Sequence, residues 1–222
     1  MTKPLILVAG GMGYIGSHTV VELINAGYEA LIVDNLSNSN LGVLDGIDAI
    51  TGKRPEFIEA DCADLDAMRS IFASHPAIAG VIDFAASKAV NESVHKPLLY
   101  YRNNIVSLLN LLECINGAPE CRGIVFSSSC TVYGEPDTNP VTEMSPVKPA
   151  TSPYGNTKQI SDLCIAMAEE LGLEWRQDVS NNVVIWKKAS PGCENSKPII
   201  LQGHLDMVCA KEDGCTKDMT RE

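Results

Sequence analysis

The sequence predicts an α/β fold, a doubly wound parallel sheet of the Rossmann kind, and three observations carry that expectation. Short apolar runs alternate with longer amphipathic segments from the N-terminus onward, a glycine triplet follows the first run, and an acid closes the second. Short runs flanked by glycines and polar residues read as strands buried on both faces, while the amphipathic segments between them read as helices. Strands that alternate with helices pair in parallel through crossovers that cover both faces of the sheet.

In chain order, PLILVAG is the first strand, residues 17–26 the first helix and EALIVDN the second strand. FIEAD is the third strand, residues 68–73 a helix, GVIDFAA the fourth strand, residues 98–115 a long helix and GIVFSSS the fifth strand. Past Pro153 a helix is expected over about 154–171, with Gly172 as its stop signal. Residues 173–222 then change in texture: a strand NNVVIWKK, a loop ASPGCENSKP, a strand IILQG and a polar tail. The expected division is therefore 1–162 as the Rossmann domain and 163–222 as a second, partial α/β segment.

With 222 residues, 45% of them hydrophobic and 20% charged, the composition is that of a soluble globular chain. A net charge of −11 opposes capture of nucleic acid or an anionic membrane, so neither is an expected partner. The first apolar run is broken early by glycines and no 18-residue apolar stretch occurs, which argues against a signal peptide or a membrane span and for a cytoplasmic protein. The eight cysteines include no CxxC pair and are expected to be reduced, mostly buried thiols.

The chemistry concentrates at the strand ends. Gly10, Gly13 and Gly16 occupy the first strand-to-helix turn, where glycine permits close backbone approach and the helix start offers free N–H groups to a pyrophosphate. Asp34, at the end of the second strand, is placed for a ribose diol and disfavours a 2′-phosphate, which selects NAD over NADP. Asp61, closing the third strand, is placed either to meet adenine or to cap the following helix. Tyr154 and Lys158 lie four residues apart on one helix face, so the ammonium is expected to lower the phenol's pKa and make Tyr154 a general base. Ser129, at the end of the fifth strand, is placed to hydrogen-bond the same substrate oxygen or, more simply, its own backbone.

The strings GGMGYIGSHTVVEL, VDNLSNS, KAVNESVHKPLLYYRNN, FSSSCTVYGEP and SPYGNTK resemble, in order and spacing, the signature blocks of UDP-glucose 4-epimerases within the extended short-chain dehydrogenase/reductase family. The resemblance implies a UDP-sugar substrate, a tightly held NAD, and Ser129, Tyr154 and Lys158 as the catalytic group. Tyr154 would take the proton of the sugar 4-hydroxyl while the C4 hydride passes to NAD, and the 4-keto sugar would rotate before the hydride returns. Cofactor contacts would come from Gly10, Gly13, Tyr14, Ile15, Gly16, Asp34, Asn35, Asp61, Phe84, Lys88, Asn103 and Lys158. Members of this family often pair as homodimers, and the apolar 98–112 segment suits such pairing. The sequence departs from the family at Asp83, where histidine is common, at Asn91 for glycine and at Cys130 for alanine.

The epimerase resemblance ends near residue 160, without the family's C-terminal sugar-nucleotide domain. The remainder, with the string GHLDMV, resembles the N-terminal region of Xaa-His dipeptidases of the zinc-dependent M20 peptidase family. His204 is then a metal ligand and Asp206 its orienting carboxylate, in a site that lacks further ligands. The chain is accordingly expected to be a junction of two partial enzymes, with an NAD-binding module without turnover or a dipeptidase fragment as alternatives to an epimerase. NNVVIWKK or KPIILQG is expected to cover the sheet edge beside the fifth strand.

Overall fold

The computed structural model describes residues 3–142, 144–167, 174–177 and 183–186. Its centre is a parallel sheet of β1 (Leu5–Ala9), β2 (Glu29–Asp34), β3 (Glu56–Glu59), β4 (Ile78–Asp83) and β5 (Ile124–Phe126). Around it lie α1 (Tyr14–Asn25), α2 (Gly42–Thr51), α3 (Leu65–Ser74), α4 (Val90–His95), α5 (Pro97–Tyr101), α6 (Ser107–Gly117) and α7 (Pro153–Met167). Two further strands, β6 (Glu174–Gln177) and β7 (Val183–Trp186), complete the strand order β3-β2-β1-β4-β5-β7-β6.

The alternation within β1 builds two cores. Ile6 and Val8 face one side with Val20 and Leu23 of α1 and Leu44 and Ile47 of α2. Leu7 and Ala9 face the other with Met68 and Ile71 of α3, Leu108 and Leu111 of α6 and Ile165 of α7. Because successive strand residues point to opposite faces, a continuous apolar run fits only a strand sandwiched between helix layers.

From β1 the chain winds outward through β2 to β3, then returns to add β4 on the other side of β1. That reversal makes the gap between the carboxyl ends of β1 and β4 the topological switch point, where ligands bind in such sheets. The parallel pairing ends at β5: β7 joins it antiparallel, with Val125 opposite Val184, and β6 pairs antiparallel with β7. Val183–Trp186, within NNVVIWKK, thus pairs with the β5 edge as expected, while the rest of that string, KPIILQG, His204 and Asp206 lie outside the described residues.

The expected helix over 98–115 is interrupted. Pro97 starts α5, a π-helical turn follows over Arg102–Val106, and α6 continues from there. This turn carries Asn103 and Asn104 and aims both at the segment leaving β4. No described helix is long and apolar enough to cross a membrane. Of the described cysteines, Cys62, Cys114 and Cys121 are buried and Cys130 and Cys164 partly so.

Candidate active site

The glycine turn is built by backbone contact. Gly10 adopts φ +72°, and a Cβ there would lie 2.8 Å from the Ala85 nitrogen. A Cβ on Gly16 would sit 2.3 Å from the Gly10 carbonyl oxygen, so only glycine lets α1 start this close to the strand end. Gly13 is the N-cap of α1 and supplies no side-chain cap. The amides of the first helical turn, at Tyr14, Ile15 and Gly16, therefore keep the unspent donor character of a helix start. Tyr14 and Ile15 are exposed beside it.

Asp34 closes the far side of this turn. Its Oδ2 accepts the Met12 N–H at 3.0 Å, and its Oδ1 accepts from the Leu36 N–H at 2.9 Å and the Ser39 hydroxyl at 3.0 Å. Asp34 closes β2 as the sequence suggests, whereas its partners Met12 and Ser39 were not anticipated and have no residue-type signature. The Asn35 amide donates to Asp61 Oδ2 at 3.3 Å, which brings the ends of β2 and β3 together. Asp61 is not the cap of α3: its Oδ1 accepts the Ala63 N–H, and Asp64 caps the helix through the N–H groups of Asp66 and Ala67.

The segment after β4 crosses the switch point. Phe84 donates its N–H to the Ala9 carbonyl at 2.9 Å, and Lys88 is exposed. Asn103 donates to the Ser87 hydroxyl at 2.9 Å. Asn104, buried and not anticipated, grips the same residue: its Oδ1 accepts the Ser87 N–H at 2.8 Å, and its Nδ2 donates to the Ser87 carbonyl and to Thr157 Oγ1 of α7, each at 3.0 Å. The Tyr100 hydroxyl accepts the Ala89 N–H and donates to Glu92. A polar asparagine inside an apolar helical stretch was the available signal, because buried amides are retained where they tie segments together.

Tyr154 and Lys158 stand on α7, one turn apart. Tyr154 is half-buried, with its ring edge-on to Tyr100 at 6.5 Å between centroids. Ser129, which caps the short 3-10 turn Cys130–Tyr133, shares a side-chain hydrogen bond with Tyr154 and accepts from Thr131 Oγ1 at 2.9 Å. Lys158 is 4% exposed; its Nζ donates to the Ser127 carbonyl at 2.6 Å and lies 4.3 Å from the centre of the Phe126 ring. The expected depression of the phenol by the ammonium is therefore not seen. Burial pushes Tyr154 up, the Ser129 hydrogen bond opposes it, and the ammonium donates to the Ser127 carbonyl. Lys158 itself is pushed down by burial, against the pull of Asp83 and Asp162.

An open α/β sheet with a glycine-built helix start at its switch point and a Ser, Tyr and Lys group on the neighbouring strand and helix defines a short-chain dehydrogenase/reductase-type chain. A family profile described as GDP-mannose 4,6 dehydratase matches residues 7–184, and the chain belongs to that family. It is 49% identical over 170 residues to a UDP-glucose 4-epimerase of Bacillus subtilis, covering 77% of this chain and 49% of the relative. A Dictyostelium discoideum UDP-glucose 4-epimerase is 49% identical over 169 residues, with 74% and 48% covered. Among solved structures, the Bifidobacterium longum UDP-glucose 4-epimerase in complex with NAD+ and UDP aligns with a TM-score of 0.72 at 41% identity, over 75% of this chain and 49% of that one. The chain thus spans about half the length of the curated relatives it matches.

Proposed function

We propose that the chain is an NAD-dependent UDP-sugar 4-epimerase of the UDP-glucose/UDP-galactose type, with Ser129, Tyr154 and Lys158 as its catalytic group. The observation that carries this reading is the Tyr154 phenol, hydrogen-bonded with Ser129 and one helical turn from a buried lysine. The names of the similar proteins support it, and two similar structures, from Bifidobacterium longum and Stenotrophomonas maltophilia, contain NAD.

The residues fit the dinucleotide. The uncapped start of α1 suits its pyrophosphate, and the room kept by Gly16 brings the backbone close. Asp34, fixed by Met12 and Ser39, presents a carboxylate to the adenosine ribose and repels a 2′-phosphate. Asn35, Asp61, Phe84, Lys88 and Asn103 border the same edge, and Lys158 would hold the second ribose. When bound, NAD supplies the acceptor and donor for the hydride at the sugar C4.

Tyr154 Oη takes the proton of the sugar 4-hydroxyl and later returns it to that same oxygen, which the Ser129 hydroxyl holds, while inversion at C4 comes from the face to which the hydride returns. Because burial raises the phenol, the base form grows only as pH rises, so turnover is expected to climb from pH 7 through the alkaline range. The test is conversion of UDP-galactose to UDP-glucose by the purified chain, with a loss of at least about 100-fold expected in Tyr154→Phe. Wild-type turnover no greater than that of Tyr154→Phe would contradict the reading.

Leu98, Leu99 and Leu109 are exposed, on α5 and α6, and support a homodimer, to be checked by sedimentation. A cytoplasmic location is proposed with it. The dipeptidase reading of 163–222 rests on the string GHLDMV alone and predicts stoichiometric zinc that is lost in His204→Ala; a metal-free chain removes it.

A further inference from the structure

Among the described residues three buried polar atoms have no hydrogen-bond partner: Asp83 Oδ2, Asp162 Oδ1 and the Ser161 hydroxyl. Asp83, 2% exposed, closes β4, and its other oxygen accepts the Ala85 N–H at 2.9 Å. Asp162, on α7 one turn beyond Lys158, accepts the Ser128 hydroxyl at 2.9 Å. An orphaned carboxylate oxygen is expensive to bury, and native structures keep few of them without a reason. An asparagine at 83 would serve Ala85 equally well, so that hydrogen bond does not explain the charge. The cation that acts on both carboxylates is Lys158. The backbone brings these groups together without a direct ion pair: Asp83 lies opposite Phe126 in the sheet and its carbonyl accepts the Ser127 N–H at 3.1 Å, while Lys158 donates to the Ser127 carbonyl at 2.6 Å and sits over the Phe126 ring.

We propose that Asp83 is a positioning residue for Lys158: together with Asp162 it keeps the buried ammonium charged and drawn to the Ser127 carbonyl. Two carboxylates around one ammonium leave an excess negative charge when all are ionised, and burial pushes both acids up to about 6. The Cys62 thiol, the other titratable group that senses Asp83, is pushed up by its own burial and stays protonated through the neutral range. Lys158 therefore titrates against Asp83 from β4 and Asp162 from its own helix. The value of this placement to cofactor binding rests on the function proposed above, whereas the placement itself does not.

The test is an NMR pH titration of the whole chain labelled with 13C at lysine Cε, with the Lys158 resonance assigned by its loss in Lys158→Arg. In Asp83→Asn, which preserves the Ala85 acceptor, the Lys158 midpoint is expected to fall by about one unit, a tenfold change in its protonation equilibrium. Asp83→Glu is expected to restore part of the shift, and Asp83→Ser serves as a second neutral variant should Asp83→Asn not fold. A Lys158 midpoint unchanged in the neutral variant overturns the proposal. In parallel, NAD affinity at pH 7 is expected to drop about three- to tenfold in that variant. Failure of the wild-type chain to bind NAD would count against the proposed function, while the lysine titration would still decide the role of Asp83.

Discussion

At Gly16 a methyl group has nowhere to go, since its position lies 2.3 Å from one backbone oxygen and 2.8 Å from the Gly11 Cα. Gly16→Ala is expected to cost about 2–3 kcal/mol in chemical denaturation, because backbone rather than a pliable side chain must yield. Asp83 behaves in the opposite sense. Its carboxyl is raised from 3.8 to about 6 by burial, so the fold favours the protonated form. Stability is then undiminished below about pH 4 and declines as pH rises through about 6. Asp83→Asn should accordingly be more stable than wild type at pH 7, by on the order of 1–3 kcal/mol, and equal to it near pH 4. Denaturation curves at the two pH values check this; equal midpoints at pH 7 would contradict it. The turn at Gly10, Gly13 and Gly16 and the place of Asp34 at the end of β2 were legible in the sequence because both follow from residue type and spacing. The placement of Lys158 was not, since a four-residue spacing fixes the helix face and leaves open where a long flexible side chain ends.

Among the elements, those with strong apolar periodicity or continuous apolar runs were readable, and those held by context were not. GVLDGIDAIT forms α2 although two of its glycines are poor helix formers and its N-cap, Leu41, makes no side-chain cap. Burial of Leu44 and Ile47 against the sheet decides its state. The break between α5 and α6 has no signal in composition, and only the pull of Asn103 and Asn104 on Ser87 accounts for its use. By contrast α3 carries its own start signal. Asp64 caps two N–H groups, and Asp64→Ala is expected to lower stability by about 1 kcal/mol, measurable by thermal or urea unfolding.

For the whole molecule, alternating strands and helices foretold the parallel sheet and its two helix layers. The antiparallel pair β7 and β6 at the β5 edge was half legible: VVIW reads as a strand, whereas EWRQ has too little apolar alternation to do so. The proposed NAD site in the gap between β1 and β4 is tested most directly by calorimetric titration of the purified whole chain with NAD and NADP. One NAD per chain, bound at least about tenfold more tightly than NADP and weakened in Asp34→Ala, is the expected result. No measurable binding of NAD, or equal binding in the folded Asp34→Ala chain, would contradict it.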